Sequence, residues 1–300
     1  LILLAMTIFA RFYALNAVPY GIEGDEAKWT SEAVNLGILG QPDISGEYHR
    51  DALPVSFYLQ TPFHRIFGAS LFSARATVAF LSVLASLIFY WLLRQLAPIP
   101  IAALGTYLLS VSIFDISASR LANVESFVKL WAVLPLALLV FAIRKQVWQA
   151  FALVGFSLAL AALTYDTLWP VIGVCFLLAL IELWKVPAQE KYKSLSALLA
   201  PILLTLPTVL PYFISRVNYY ELGKKGWDGE LFTTLGKNTI NVLESWFVML
   251  RPDFLYNRVG PLLNTALLPW LVVGIVIAIF SLREKVSRWL LIWAGMVILP

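Results

Sequence analysis

Glu23, Asp25 and Glu26 fall within the stretch Tyr20-Gly21-Ile22-Glu23-Gly24-Asp25-Glu26-Ala27-Lys28-Trp29, directly behind an apolar run. Carboxylates placed this way can take the proton of a hydroxyl that is becoming a nucleophile. At the centre of a bilayer a carboxylate costs several kcal/mol, roughly 2.5–3.5 on insertion scales. At the exit of a membrane helix it reaches water, so the pattern reads as the working end of a membrane enzyme. The plain alternative is an acidic helix start stabilised by the helix dipole, worth roughly 0.3–1 kcal/mol. Asp115, Glu125 and Asp166 fall in further short polar turns between apolar runs. Each also has a plain reading as a helix-end residue.

The elements that must position these groups are membrane helices. The chain is 300 residues, 60% hydrophobic and 13% charged, where a soluble domain is about 25% charged. Windows 76–93, 95–114, 146–165, 194–215 and 259–282 hold no Asp, Glu, Lys or Arg and are long enough to span. Windows 1–10, 130–143 and 167–181 lengthen when charged residues at their ends snorkel. The expected fold is all-α, a polytopic transmembrane bundle of about nine helices. Those helices are expected at 1–18, 73–93, 99–115, 126–143, 147–164, 167–184, 194–215 and 261–282, with one more from 289. The chain opens on Leu1 and stops inside an apolar run, so it reads as one transmembrane domain over 1–300, truncated at both ends. Residues 20–72 form a first outer loop, too long for an idle connection. It carries expected interfacial helices at 25–36 and 54–67, and 216–258 forms a second long outer loop.

Short loops holding Arg94, Arg144/Lys145, Lys185/Lys191/Lys193 and Arg283/Lys285/Arg288 read as cytoplasmic by the positive-inside rule. The opposite side then receives both long segments and the acids Asp25, Glu26, Asp115, Glu125 and Asp166. This makes a multi-pass protein of a cell membrane with its site facing outward. The single cysteine, Cys175, rules out a disulfide framework. His49 and His64 are not at metal-ligand spacing, which disfavours a zinc site. A net charge of +4 without a basic stripe leaves no case for nucleic-acid binding.

An enzyme facing outward has no access to nucleotide sugars. A sugar carried on a polyprenyl phosphate fits, because its tail lies in the bilayer and its anomeric carbon at the boundary. Transfer to a hydroxyl needs a base, which Asp25 or Glu26 supplies, and stabilisation of the departing phosphate. Arg50, Arg75 and Arg120 carry the forked donors suited to phosphate oxygens. A divalent cation, Mg or Mn, held by Asp25 and Glu125 with the donor phosphate is also compatible with these residues.

Several of these pieces resemble one family. Gly24-Asp25-Glu26-Ala27 is similar to the Asp-Glu motif of C-type (GT-C) membrane glycosyltransferases, which include protein O-mannosyltransferases and lipid A aminoarabinose transferases. Leu53-Pro54-Val55-Ser56-Phe57-Tyr58-Leu59 resembles their Pro-Pro-Leu-Tyr-Tyr block. Phe67-Gly68-Ala69-Ser70-Leu71-Phe72-Ser73-Ala74-Arg75 resembles their Phe-Gly…Arg entry to the second helix. Ser119-Arg120-Leu121-Ala122-Asn123-Val124-Glu125 resembles their second acidic motif, with Glu where Asp is usual. The resemblance implies Asp25 as general base or metal-proximal acid, Glu26 as its neighbour and Glu125 as second acidic partner. Ala52-Leu53 stand where Lys or His precedes the double proline, and His49 and Arg50, a few residues earlier, substitute as phosphate contacts.

Two other classes compete. A transporter or lipid flippase would place ionisable groups near the midplane, whereas here the acids crowd one end of spans read as charge-free at their centres. A non-catalytic assembly subunit would use the large aromatic outer loops for a partner. The acceptor is not legible from the residues.

Overall fold

The computed structural model describes residues 1–38 and 55–219, together with 276, 279 and 280. His49, Arg50, nearly all of the expected second outer loop, most of the helix at 261–282 and the one from 289 lie outside the described residues. Leu1–Phe213 form one compact unit and Ile214–Pro300 a second. The acidic turn and the helices packed around it belong to the first unit.

The described elements are helices: α1 Ile2–Phe12, α2 Gly24–Gly37, α3 Val55–Phe67, α4 Leu71–Leu96, α5 Ile99–Ser110, α6 Ile113–Ala118, α7 Val128–Lys145, α8 Trp148–Ala162, α9 Trp169–Leu183 and α10 Ala188–Tyr219. Among the described residues, three stretches are long and apolar enough to cross a membrane: Leu71–Leu96, Val124–Lys145 and Ala188–Tyr212. Four more helices are apolar but shorter: α1, α5, α8 and α9. The all-α membrane bundle expected from composition is what the chain forms.

At the centre α7 packs against α4, α8 and α9. The core joins Ala74, Val78, Leu81 and Ala85 of α4 to Leu130 and Trp131 of α7 and Ala161 of α8. Small side chains on α4 let the helix backbones approach closely, which is how helices bind one another when lipid removes the hydrophobic drive between them. A second close approach joins α8 to α10, where a Cβ on Gly155 would stand 2.3 Å from the Leu198 carbonyl oxygen. α4 starts on a reciprocal cap, Ser70 Oγ accepting from the Ser73 N–H and Ser73 Oγ from the Ser70 N–H.

Three boundaries depart from expectation, and one is the start of α10, at Ala188 where 194 is expected. The first helix ends at Phe12, not Val18, because Ala14 turns left-handed (φ 49°) and the chain coils through residues 13–19. The expected helix 99–115 is two pieces. α5 stops at Ser110, and Ser112 starts α6 by accepting from the Asp115 N–H at 3.5 Å.

Candidate active site

α2 begins at Gly24 because Glu23 caps it, its Oε2 accepting from the Glu26 N–H at 3.2 Å. That register sets two adjacent acids on different faces. Asp25 is exposed, while Glu26 is fully buried.

Glu26 is held on three sides. Its Oε1 accepts from Arg75 Nε at 2.8 Å and from the Ala122 backbone N–H at 2.9 Å, and its Oε2 accepts from Arg75 Nη2 at 2.7 Å. Arg75, buried in the first turns of α4, gives its remaining N–H groups to the carbonyls of Leu15, Pro19 and Gly21. Gly21 has φ +78°, a conformation only glycine adopts freely. Every N–H of Arg75 is therefore committed within the protein, and none remains for a phosphate. Arg120 does similar work one layer over, donating to the carbonyls of Ala10, Arg11, Tyr13 and Val18. A cation on the last carbonyls of α1 is also favoured by the helix dipole. Of the Arg120 donors, only Nε–H lies outside these bonds.

The second acidic segment is thereby docked on the first. Besides Ala122 on Glu26, Asn123 Nδ2 approaches Glu23 Oε2 at 3.5 Å. Packing fixes the same arrangement: Trp29 and Ala33 of α2, Phe57 of α3 and Val124 form one buried cluster, with the Trp29 and Phe57 rings 5.8 Å apart. Glu125, in the single 3-10 turn Val124–Phe127 before α7, is exposed and accepts from the Tyr165 hydroxyl at 3.3 Å. Asp25 and Glu23 lie close enough for their charges to act on it.

Of the residues expected to do chemistry, Asp25 and Glu125 are exposed, while Glu26, Arg75 and Arg120 are buried in the frame beside them. This set presents carboxylates to a hydroxyl and can accept its proton. Among the described residues no group of three or more His, Cys, Asp or Glu is placed to hold a metal. A divalent ion at Asp25 and Glu125 would draw the rest of its ligands from substrate.

His64 sits on the inner face of α3, with Nδ1 2.7 Å from Ser73 Oγ. Burial lowers its pKa, the backbone hydrogen bond at Gly68 opposing.

A second polar cluster lies deeper, built from charges that flank the windows 1–10, 95–114 and 130–143. Arg11 is buried on α1 and pairs with Asp115 of α6; Lys129 of α7 pairs with the same Asp115 oxygen at 2.7 Å. The spans are therefore not charge-free. The available signal was a lone Arg in the first apolar run and a lone Lys inside the fourth, since ionisable groups in such runs almost always find partners. Asn123 and Tyr165 carry no comparable signal. A cavity of about 340 Å³ between α1, α4 and α5 is lined by Leu3, Leu4, Thr7 and Tyr90 among others, and lies toward the end of α1 away from the acids.

Residues 51–211, more than half of the chain, match the family model of the dolichyl-phosphate-mannose-protein mannosyltransferases. That match contains Arg75, Arg120 and Glu125 and begins after the acidic turn. No curated protein and no solved structure matches.

Proposed function

The chain belongs to the dolichyl-phosphate-mannose-protein mannosyltransferase family and is a membrane glycosyltransferase, and from this premise we propose that it moves a sugar from a polyprenyl-phosphate carrier to an acceptor hydroxyl on the outer face of the membrane. In this reading Asp25 is the general base. The acceptor oxygen attacks the anomeric carbon, its proton passes to the Asp25 carboxylate, and the bond from that carbon to the phosphate oxygen breaks with its electron pair leaving on the lipid phosphate. Glu125, exposed on the segment docked against α2, orients the acceptor or a phosphate-bound cation. Glu26 does not exchange protons in this scheme; it is the post on which Arg75 and Ala122 fix the turn.

The observation that carries this reading is the contrast between neighbours. Asp25 is exposed at the start of α2, and Glu26 is sealed in a buried ion pair. An acidic helix start serving only the dipole would need neither the bidentate clamp nor a second acid from another segment.

The test is transfer by the purified protein in nanodiscs, given a panel of polyprenyl-phosphate sugars and read by mass spectrometry. A lipid-phosphate product and a glycosylated acceptor are expected. Activity with a nucleotide sugar supplied alone, and none with lipid donors, would overturn the donor assignment. Transport remains the rival because the Arg11–Asp115–Lys129 cluster is buried in the bundle. Ion-dependent flux through proteoliposomes without glycosyl transfer would favour it.

A further inference from the structure

The deeper cluster links five helices, three of which meet at one carboxylate. Asp115 Oδ2 accepts from Arg11 Nη2 of α1 and from Lys129 Nζ of α7. Lys129 gives its other two N–H groups to Ser82 and Ser86 of α4, both at 3.1 Å. Arg11 gives Nε to Ser82 Oγ at 2.8 Å and Nη1 to the carbonyls of Thr7 and of Ser110 on α5. Removing such charges from water is costly, and apolar side chains of similar volume often hold a core at least as firmly. Cohesion alone does not account for the cluster. A charged pair adds a single register for what it joins.

The thing joined is the second acidic segment. Asp115 and Lys129 are 14 residues apart in the chain. Between them lie Arg120 on the end of α1, Ala122 on Glu26, Asn123 on Glu23, and Glu125, one helical turn before Lys129. The backbone carbonyl of Arg11 also accepts from Arg120 at 3.3 Å, linking the cluster to the frame above it.

We propose that Asp115 and Lys129 are positioning residues for the transfer reaction, their ion pair closing this segment so that Ala122, Asn123 and Glu125 stand against the acids of α2. The inference rests on the transfer reading given above. The pair touches no substrate and acts through the segment it closes.

The test is Asp115→Asn/Lys129→Met, which removes one charge of each sign and leaves the net charge of the cluster unchanged. Hydrogen–deuterium exchange in nanodiscs should rise about tenfold or more across Ser119–Glu125, with α8 and α9 unchanged. For each folded molecule kcat should fall roughly 10- to 100-fold with donor KM held within about twofold, the signature of misplaced groups rather than lost binding. Lys129→Arg should keep both readouts near wild type. Should the double variant not fold, Asp115→Glu decides: it keeps both charges, lengthens the clasp and should lower kcat with thermal stability preserved. Folded variants with unchanged exchange and unchanged kcat would overturn the proposal. A wild type that transfers no sugar from any donor, while Ser119–Glu125 still loosens in the variant, would sink the transfer reading and leave the clasp standing.

Discussion

Arg75 grips Glu26 through a pair of parallel hydrogen bonds, Nε to Oε1 at 2.8 Å and Nη2 to Oε2 at 2.7 Å, with neither side chain open to solvent. The contact crosses from the first turns of α4 to the start of α2, and on the same carboxylate it meets the Ala122 N–H from the segment before α7. Three separate stretches of chain are thus indexed to one buried anion. Asp25, one residue before Glu26, inherits its position from that arrangement.

Arg75→Lys should therefore behave as a severe change despite keeping the charge. A lysine lacks the planar fork, and the carbonyls of Leu15, Pro19 and Gly21 lose donors as well. Arg75→Ala, which leaves Glu26 buried and unpaired, should cost about 3–5 kcal/mol. Arg75→Met/Glu26→Leu should be less destabilised than either single change. Thermal unfolding in detergent checks the order; equal stabilities for all variants would remove the clamp.

His64 gives a pH dependence whose sign follows from its burial. Its folded pKa lies below the usual 6.5, so between the two values the unfolded chain binds more protons. The contribution to stability is complete above about 6.5 and is lost as pH falls through the folded value. The apparent Tm of wild type should drop across that window more than that of His64→Gln, with the two curves parallel above about pH 7. Parallel curves throughout would mean the imidazole is not held neutral against Ser73.

Gly155→Ala tests the packing of α8 on α10. The new Cβ would meet the Leu198 carbonyl oxygen at 2.3 Å and its carbon at 2.9 Å. Backbone atoms cannot step aside as a side chain does, so the variant should lose about 1–3 kcal/mol of stability. Gly173→Ala, where nothing lies within 4 Å of the added atom, is the control and should be close to wild type.

Much of the fold was legible because lipid imposes a blunt rule: long apolar runs become helices. The expected 73–93 forms within α4, 147–164 within one residue or two of α8, and 25–36 and 54–67 as α2 and α3. What could not be read were contacts made at a distance. Nothing local to Val18 says that Arg120, more than a hundred residues later, collects the carbonyls at the end of α1. The Glu23 cap is local to Asp25 and Glu26, but which of the two adjacent acids is turned inward also depends on Arg75 from α4. Arg75 and Arg120 matched the chemistry of phosphate binding equally well on residue type alone; only the count of their bonded N–H groups shows them engaged elsewhere. Arg11 and Lys129 stand just outside the charge-free windows 1–10 and 130–143, where a single charge reads as the end of a span.

The division of labour between Asp25 and Glu26 is tested most directly by measuring sugar transfer per folded molecule, with thermal stability, for Asp25→Asn and Glu26→Gln side by side. A general base contributes about 10²–10⁴-fold, so Asp25→Asn should lose at least about a hundredfold in kcat with its Tm unchanged, while Glu26→Gln should lose stability first and activity through it. An Asp25→Asn protein that folds and transfers sugar at the wild-type rate would contradict the account.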